Sequence, residues 1–112
     1  MRERFMEERM RRPELPPVHP GEILAEEFLA PLSISQNRLA RDLAVPAQRV
    51  SQIVRGERAV TLDTALRLAA YFKTSPEFWL NLQQQYDLRT ARAQHLPERI
   101  EREVRPMDVA QA

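Results

Sequence analysis

The chain has 112 residues, which is enough for one domain with one modest core and does not suit a two-domain enzyme. Hydrophobic residues make up 43% and charged residues 29%, as in soluble globular proteins, and no apolar run approaches the ~18 residues of a membrane span. The charged N-terminus lacks the apolar stretch of a secretion signal, so we expect a cytoplasmic protein. The absence of cysteine excludes disulfides and thiolate metal sites.

The formal net charge of +1 conceals a local concentration of basic charge. Every ionised residue from Glu14 to Pro31 is acidic, whereas five arginines between residues 35 and 58 face only Asp42 and Glu57. A local basic segment indicates a surface for nucleic acid better than the whole-chain sum does.

Prolines at positions 13, 16, 17 and 20 predict an extended linker before Gly21. We therefore divide the chain into a charged, proline-containing arm (residues 1–17), a folded domain (18–93) and a charged tail (94–112). The first predicted helix ends at Pro31. Its apolar side chains recur at helical spacing and are Ile23, Leu24, Phe28 and Leu29.

Two short helices follow, separated by a tight break at Ala44 and Val45. Ser35 is placed to cap the second helix, because its hydroxyl can accept amide hydrogens of the first turn. Pro46 suits the first position of the third helix and Gly56 the residue after its end. The predicted buried face of the second helix is Leu39, Ala40 and Leu43.

Two further helices are predicted, with Thr61 and Ser75 as their caps. The fourth presents Leu62, Ala65, Leu66, Ala69 and Phe72, and the fifth presents Phe78, Trp79, Leu82 and Tyr86. No segment alternates as a strand does. The tail pairs Glu98 with Arg102 and Glu101 with Arg105 at helical spacing, which leaves both a helix and a frayed end open. The expected fold is all-α, with five helices and a possible C-terminal helical extension.

The third helix carries the functional signal. At 100° per residue its apolar side is Ala47, Val50, Ile53 and Val54, and its outward side is Gln48, Ser51, Gln52 and Arg55, with Arg49 beside it. Gln can pair with adenine, Arg with guanine, and Ser with a phosphate or base edge. The alternative is the polar exterior of a helical bundle, but an outward face without acidic residues favours reading of double-stranded DNA.

Two short helices joined by a tight turn are typical of a helix-turn-helix. A helix start also attracts phosphate through its backbone amides. We predict bases to be read by Gln48, Ser51, Gln52 and Arg55, and phosphates to be held by Gln36, Asn37, Arg38, Arg49 and Arg58. A homodimer would place two such helices in major grooves about 34 Å apart, on an inverted-repeat operator.

Five residues fall at the spacings used by phage-repressor-like (Xre) helix-turn-helix domains. They correspond to a phosphate-contacting glutamine, a small residue at the helix crossing, the turn, and two core residues, at Gln36, Ala40, Ala44, Val50 and Ile53. The turn departs from the family, which usually has glycine where this chain has Ala44. A positive φ there would cost about 1 kcal/mol.

More narrowly, the segments His19–Leu24, Ser75–Gln83 and Tyr86–Leu88 closely resemble those of HigA-type antitoxins. The likeness runs from Val18 to Arg92. It implies a five-helix repressor-like domain that dimerises through its later helices, autorepression of a toxin–antitoxin operon, and neutralisation of a HigB-type toxin. An orphan Xre-family regulator, and an interaction module that has lost DNA reading, are the alternatives.

Other candidate sites favour structural interpretations. Phe78, Trp79, Leu82 and Tyr86 have helical spacing, which favours core or dimer packing over a base-stacking platform. The cluster of Glu22, Glu26 and Glu27 lacks a histidine at ligand spacing, so it indicates a solvated face rather than a metal or acid–base site. Neither histidine looks catalytic, and we expect no enzyme activity and no cofactor or metal.

The N-terminal arm has two interpretations. Phe5, Met6 and Met10 stand among charged residues, as in a short amphipathic helix that docks on a toxin. The same composition also suits a disordered tail.

Overall fold

The computed structural model describes residues 16–108, and all regular structure within that range is helical. The all-α architecture with five helices and a C-terminal extension is confirmed. The helices are α1 (residues 20–32), α2 (Gln36–Leu43), α3 (Ala47–Val54), α4 (Leu62–Phe72), α5 (Pro76–Ala93) and α6 (Leu96–Glu103). Within residues 16–108 no helix has the length and apolar character needed to traverse a bilayer.

The segment just before Gly21 is part of the folded domain, although its prolines predicted an extended linker there. Val18 is buried, Pro20 is the first residue of α1, and the His19 side chain accepts a hydrogen bond from the Gly21 amide at 2.9 Å. Pro20 suits a helix start because its missing N–H would be unpaired there in any case. Residues 1–15, including the possible docking helix around Phe5, lie outside the described range.

Pro31 does not end α1, contrary to prediction. The helix is π-helical over Leu24–Leu29, where the Ala30 amide donates to the Ala25 carbonyl, and it continues as Ala30–Leu32. A proline removes a donor and crowds the carbonyl four residues earlier, and the wider π turn just before Pro31 changes that pairing. The helix ends instead at Ser33, which has the left-handed conformation (φ 54°).

All three predicted cap residues occupy the N-cap position, and two of them make the capping hydrogen bond. The hydroxyls of Ser35 and Ser75 accept hydrogen bonds from the amides of Arg38 and Phe78, at 3.0 and 3.1 Å. Thr61 is the N-cap residue of α4, but its side chain makes no capping hydrogen bond. Pro46 lies one residue before α3 rather than in its first position.

Trp79 forms the centre of an aromatic cluster between α1, α4 and α5. Its side chain is fully buried, and its indole N–H donates to the Thr74 hydroxyl at 2.8 Å. The ring centroids of Phe28 and Phe78 each lie 5.1 Å from that of Trp79, and Phe28 also lies 4.8 Å from Phe72. These rings join the first helix to the last two helices of the predicted domain.

The buried face of α4 differs from the predicted one. Leu62 and Leu66 are 60% and 50% exposed, and the buried positions are Thr64, Ala65, Leu68 and Ala69. At 100° per residue the four buried positions fall within an arc of about 140° that ends at Ala69, and Leu66 lies about 60° beyond that edge. Because Thr64 is polar, the pattern of apolar residues did not predict that it belongs to the buried face of α4. On α3, Ala47 is likewise exposed rather than buried.

The predicted C-terminal tail contains α6, which packs against α5. The Glu101–Arg105 pair of the prediction cannot form on a helix face, because α6 ends at Glu103 and Val104 is extended. An apolar groove runs between the two helices and is lined by Leu88, Ala91, Leu96, Ile100 and Val104.

His19 joins three parts of the fold at the start of α1. Its Nδ1 accepts from the Gly21 amide, and its ring meets Tyr86 of α5 edge-on with the centroids 4.8 Å apart. Burial lowers the pKa of His19, although the Asp87 carboxylate and a hydrogen bond with the Arg58 backbone act in the opposite direction. The unprotonated ring is the form that can accept from Gly21.

We expect Ala44→Gly to stabilise the protein by roughly 0.5–1 kcal/mol. Ala44 has φ 60°, a conformation that costs an L-residue about 1–2 kcal/mol, partly offset by the freedom glycine adds to the unfolded chain. Urea unfolding measures the change. The matched control is Ala70→Gly on the exposed side of α4, which should lose about 1 kcal/mol. A loss of stability in both variants would contradict the prediction.

We expect stability to decline as the pH falls below about 6.5, because the folded state holds the His19 pKa below its unfolded value. His19 therefore contributes fully above the unfolded pKa and loses its contribution as the unfolded chain takes up the proton. His19→Asn keeps a capping oxygen without a titrating group, so its thermal unfolding should depend less on pH between 7 and 5.5. His95→Asn, the same substitution at an exposed histidine, is the control, and an equal change in the pH dependence of both variants would contradict the assignment to His19.

Candidate nucleic-acid interface

Helices α2 and α3 form the helix-turn-helix, and the turn between them passes through Ala44. On one side of α3, Val50 and Ile53 are 2% and 1% exposed and anchor the helix in the core. The predicted base-reading residues occupy the opposite side, where Gln48 and Arg55 are exposed and Ser51 and Gln52 are partly exposed. The four side chains thus share one solvent-facing surface, which we call the α3 face.

Arg55 is held in place by three hydrogen bonds. Its Nε and Nη2 donate to the two carboxylate oxygens of Glu57 at 3.2 and 3.1 Å, and its Nη1 donates to the Ser51 hydroxyl at 2.6 Å. The α3 face therefore has an acidic neighbour just beyond the helix. Helical periodicity does not place Glu57 on this face, because Glu57 lies beyond Val54, the last residue of α3.

Gln52 is also held by a residue of the following turn. Arg58 donates through Nε to the Gln52 side-chain oxygen at 2.8 Å. That oxygen keeps a second lone pair and the Gln52 NH₂ keeps its donors, so the amide can still both donate and accept. Arg58 keeps the remaining guanidinium N–H groups for other partners.

The residues predicted to hold phosphates differ in whether their side chains already have partners within the protein. Gln36 and Asn37 are exposed in the first turn of α2. Arg38 is exposed, with its Nε 3.6 Å from an Asp42 carboxylate oxygen. Arg49 is less available to a phosphate, because its guanidinium donates to Asp63 of α4 at 2.7 Å.

Asp63 joins Arg49 to a second arginine that sequence reasoning missed. Arg67 donates to the same carboxylate oxygen at 2.9 Å and also to the Leu43 carbonyl at the end of α2, at 2.9 Å. Hydrogen bonds from Arg67, and then from Arg49, hold the pKa of Asp63 below its usual value. The three side chains connect α2, α3 and α4.

Gln83 fixes the loop that follows α3. Its side-chain oxygen accepts from the Val60 amide at 2.8 Å in the buried interior, and its NH₂ donates to Asp87 at 2.9 Å. Sequence periodicity gave no signal for Gln83, which lies among the apolar positions of α5.

The remaining candidates lie away from the α3 face. Trp79 and Leu82 are buried in the core, whereas Phe78 and Tyr86 are partly buried. Residues 16–108 contain no cluster of three or more acidic, histidine or cysteine side chains able to hold a metal ion.

Comparison with known proteins places this geometry in a family. The helix-turn-helix family model matches residues 26–79. The chain is 50% identical to virulence-associated protein I of Dichelobacter nodosus over 78 residues, which is 70% of this chain and 72% of the relative. It is 38% identical to antitoxin HigA-1 of Vibrio cholerae over 89 residues, which is 80% of this chain and 84% of that one.

A solved structure agrees along nearly its whole length. The Pseudomonas aeruginosa antitoxin HigA, determined with the higBA promoter, superposes with a TM-score of 0.74 at 49% identity, covering 82% of this chain and 99% of its own. Sequence and fold therefore lead to the same assignment. This chain belongs to the HigA-type antitoxins, a family of phage-repressor-like helix-turn-helix proteins.

Proposed function

We propose that this chain is the antitoxin of a HigB/HigA-type toxin–antitoxin system, which represses its own operon in the cytoplasm and neutralises the toxin. The observation that carries the proposal is the α3 face: four hydrogen-bonding side chains on a short helix anchored from behind by Val50 and Ile53. It is supported by the HigA relative determined with promoter DNA, which is 49% identical to this chain.

In this proposal the α3 face enters the major groove and reads base edges through Gln48, Ser51, Gln52 and Arg55. Gln36 and Asn37 hold phosphate at the start of α2, where backbone amides add to the attraction. Arg38 and Arg58 add positive charge. Arg49 contributes less directly, because Asp63 already binds its guanidinium.

We further propose a homodimer on an inverted-repeat operator, with its recognition helices in successive major grooves about 34 Å apart. The apolar surface of α5 and α6 supports dimerisation through the later helices, since Leu88 and Ile100 are 40% and 44% exposed. Phe78 and Tyr86, partly buried on α5, stay candidates for that interface.

The proposal predicts tight binding to the DNA upstream of the gene, measured by fluorescence anisotropy at two salt concentrations. Affinity should fall as salt rises, because each phosphate contact releases counterions and makes the slope of log K against log salt more negative by about 0.9. A scrambled duplex is the control. Equal weak binding to both duplexes would leave the helix-turn-helix as a scaffold, and mixing with the product of the neighbouring toxin-like frame would then test the antitoxin role alone.

Arg55→Ala should weaken operator binding by about 1–3 kcal/mol and relax preference at one base pair of each half-site. The reason is the loss of a side chain able to donate two hydrogen bonds to guanine. Arg99→Ala, which removes the same charge from the exposed side of α6, is the matched control and should bind like the wild type. An equal loss on every DNA sequence would instead make Arg55 a phosphate contact.

A further inference from the structure

Glu57 lies where a DNA-binding surface should avoid negative charge. The phosphates of DNA repel a carboxylate, and the Glu57 side chain is 55% exposed beside Arg55. Each of its carboxylate oxygens nevertheless accepts one hydrogen bond from the Arg55 guanidinium. The negative charge is therefore paired within the protein.

The backbone after α3 fixes the position of Glu57. The Gly56 amide donates to the Ile53 carbonyl at 3.0 Å and the Glu57 amide to the Gln52 carbonyl at 2.8 Å. Gly56 has φ 76°, a conformation that glycine adopts at little cost, and it folds the chain back over the end of the helix. The Glu57 side chain thus returns to the α3 face that carries Arg55.

Only part of the Arg55 guanidinium remains available. A guanidinium has five N–H donors. One on Nε, one on Nη2 and one on Nη1 are used by Glu57 and Ser51, so one N–H is left on each terminal nitrogen. Two donors on neighbouring nitrogens match the O6 and N7 acceptors of guanine.

A second contact from the same turn holds Gln52. Arg58 donates through Nε to the Gln52 side-chain oxygen, which keeps a second lone pair, and the NH₂ keeps its donors. Gln52 can therefore still pair with adenine, and the preference for guanine rests on Arg55 alone.

We propose that Glu57 is a positioning residue for specificity: it orients Arg55 so that its two remaining N–H groups read guanine. This inference rests on the proposed function and adds the base that is read and the residue that sets it. Glu57 itself touches no DNA. It acts through the direction and immobility of the guanidinium.

A structural role and a positioning role predict different measurements. Exposed ion pairs contribute little to folding, so Glu57→Ala should unfold at the wild-type temperature. Its removal also deletes a negative charge, which should leave binding to a scrambled duplex equal or slightly tighter. Positioning predicts a loss confined to discrimination at one base pair.

The experiment measures the affinities of the full-length wild type, Glu57→Ala, Glu57→Gln and Arg55→Ala for the operator and for duplexes substituted at single base pairs. Arg55→Ala identifies the G·C pair in question. There we expect Glu57→Ala to reduce the discrimination ratio about tenfold, within the range of a bidentate contact. Glu57→Gln keeps one accepting oxygen and should fall between Glu57→Ala and the wild type. Glu103→Ala on α6 controls for the charge change.

The outcomes separate the two hypotheses. A wild type that binds operator and scrambled DNA alike overturns the proposed function and this inference with it. A selective wild type whose Glu57→Ala variant keeps full discrimination overturns this inference alone. That includes the case in which Glu57→Ala binds the operator more tightly with its discrimination unchanged or increased, because Glu57 would then be a competitor of DNA for Arg55.

Discussion

The placement of the recognition helix depends on the close approach of α1 to its last turn. A Cβ atom on Gly21 would lie 1.7 Å from the Ile53 carbonyl oxygen, so only glycine allows the two backbones to meet. The contact is made from behind α3, on the side of Val50 and Ile53. Because the backbone rather than a flexible side chain sets this distance, the opposite α3 face has a defined height above the core.

Two polar anchors complete the support of α3. Arg49 binds Asp63 of α4 on one side, and the loop beyond the helix is held where the Val60 amide donates to the buried Gln83 side chain. An eight-residue helix gains little from its own hydrogen bonds, since isolated helices shorter than about 12 residues are marginal in water. Tertiary contacts therefore keep α3 helical. These two polar anchors and the Gly21 contact leave the four side chains of the α3 face unused.

The sequence predicted the features that depend on local chemistry. Ser35, Ser75 and Gly56 acted at the expected helix ends, because caps and left-handed ends are decided within a few residues. The exposed side of α3 also followed from periodicity alone, because Val50 and Ile53 fix its orientation.

Features that depend on distant parts of the chain could not be predicted in this way. Pro31 looked like a helix end because periodicity cannot anticipate a π turn that changes the pairing before it. Leu62 and Leu66 looked buried, although which stripe of α4 meets the core is decided by its neighbours. Arg49 looked available to phosphate until the fold brought Asp63 against it, 14 positions along the chain.

The hydrogen bonds of the α3 face hold its side chains in place before any DNA is bound. Immobilising a long side chain on binding costs about 0.5–1.5 kcal/mol, and a reader that is already held loses less of this entropy. Arg55 and Gln52 are each fixed by a residue of the turn after α3, and that turn packs against His19, whose ring lies 3.7 Å from where a Gly56 Cβ would stand. Order in the side chains proposed to read DNA thus depends on His19, two residues before the Gly21 contact that places the helix.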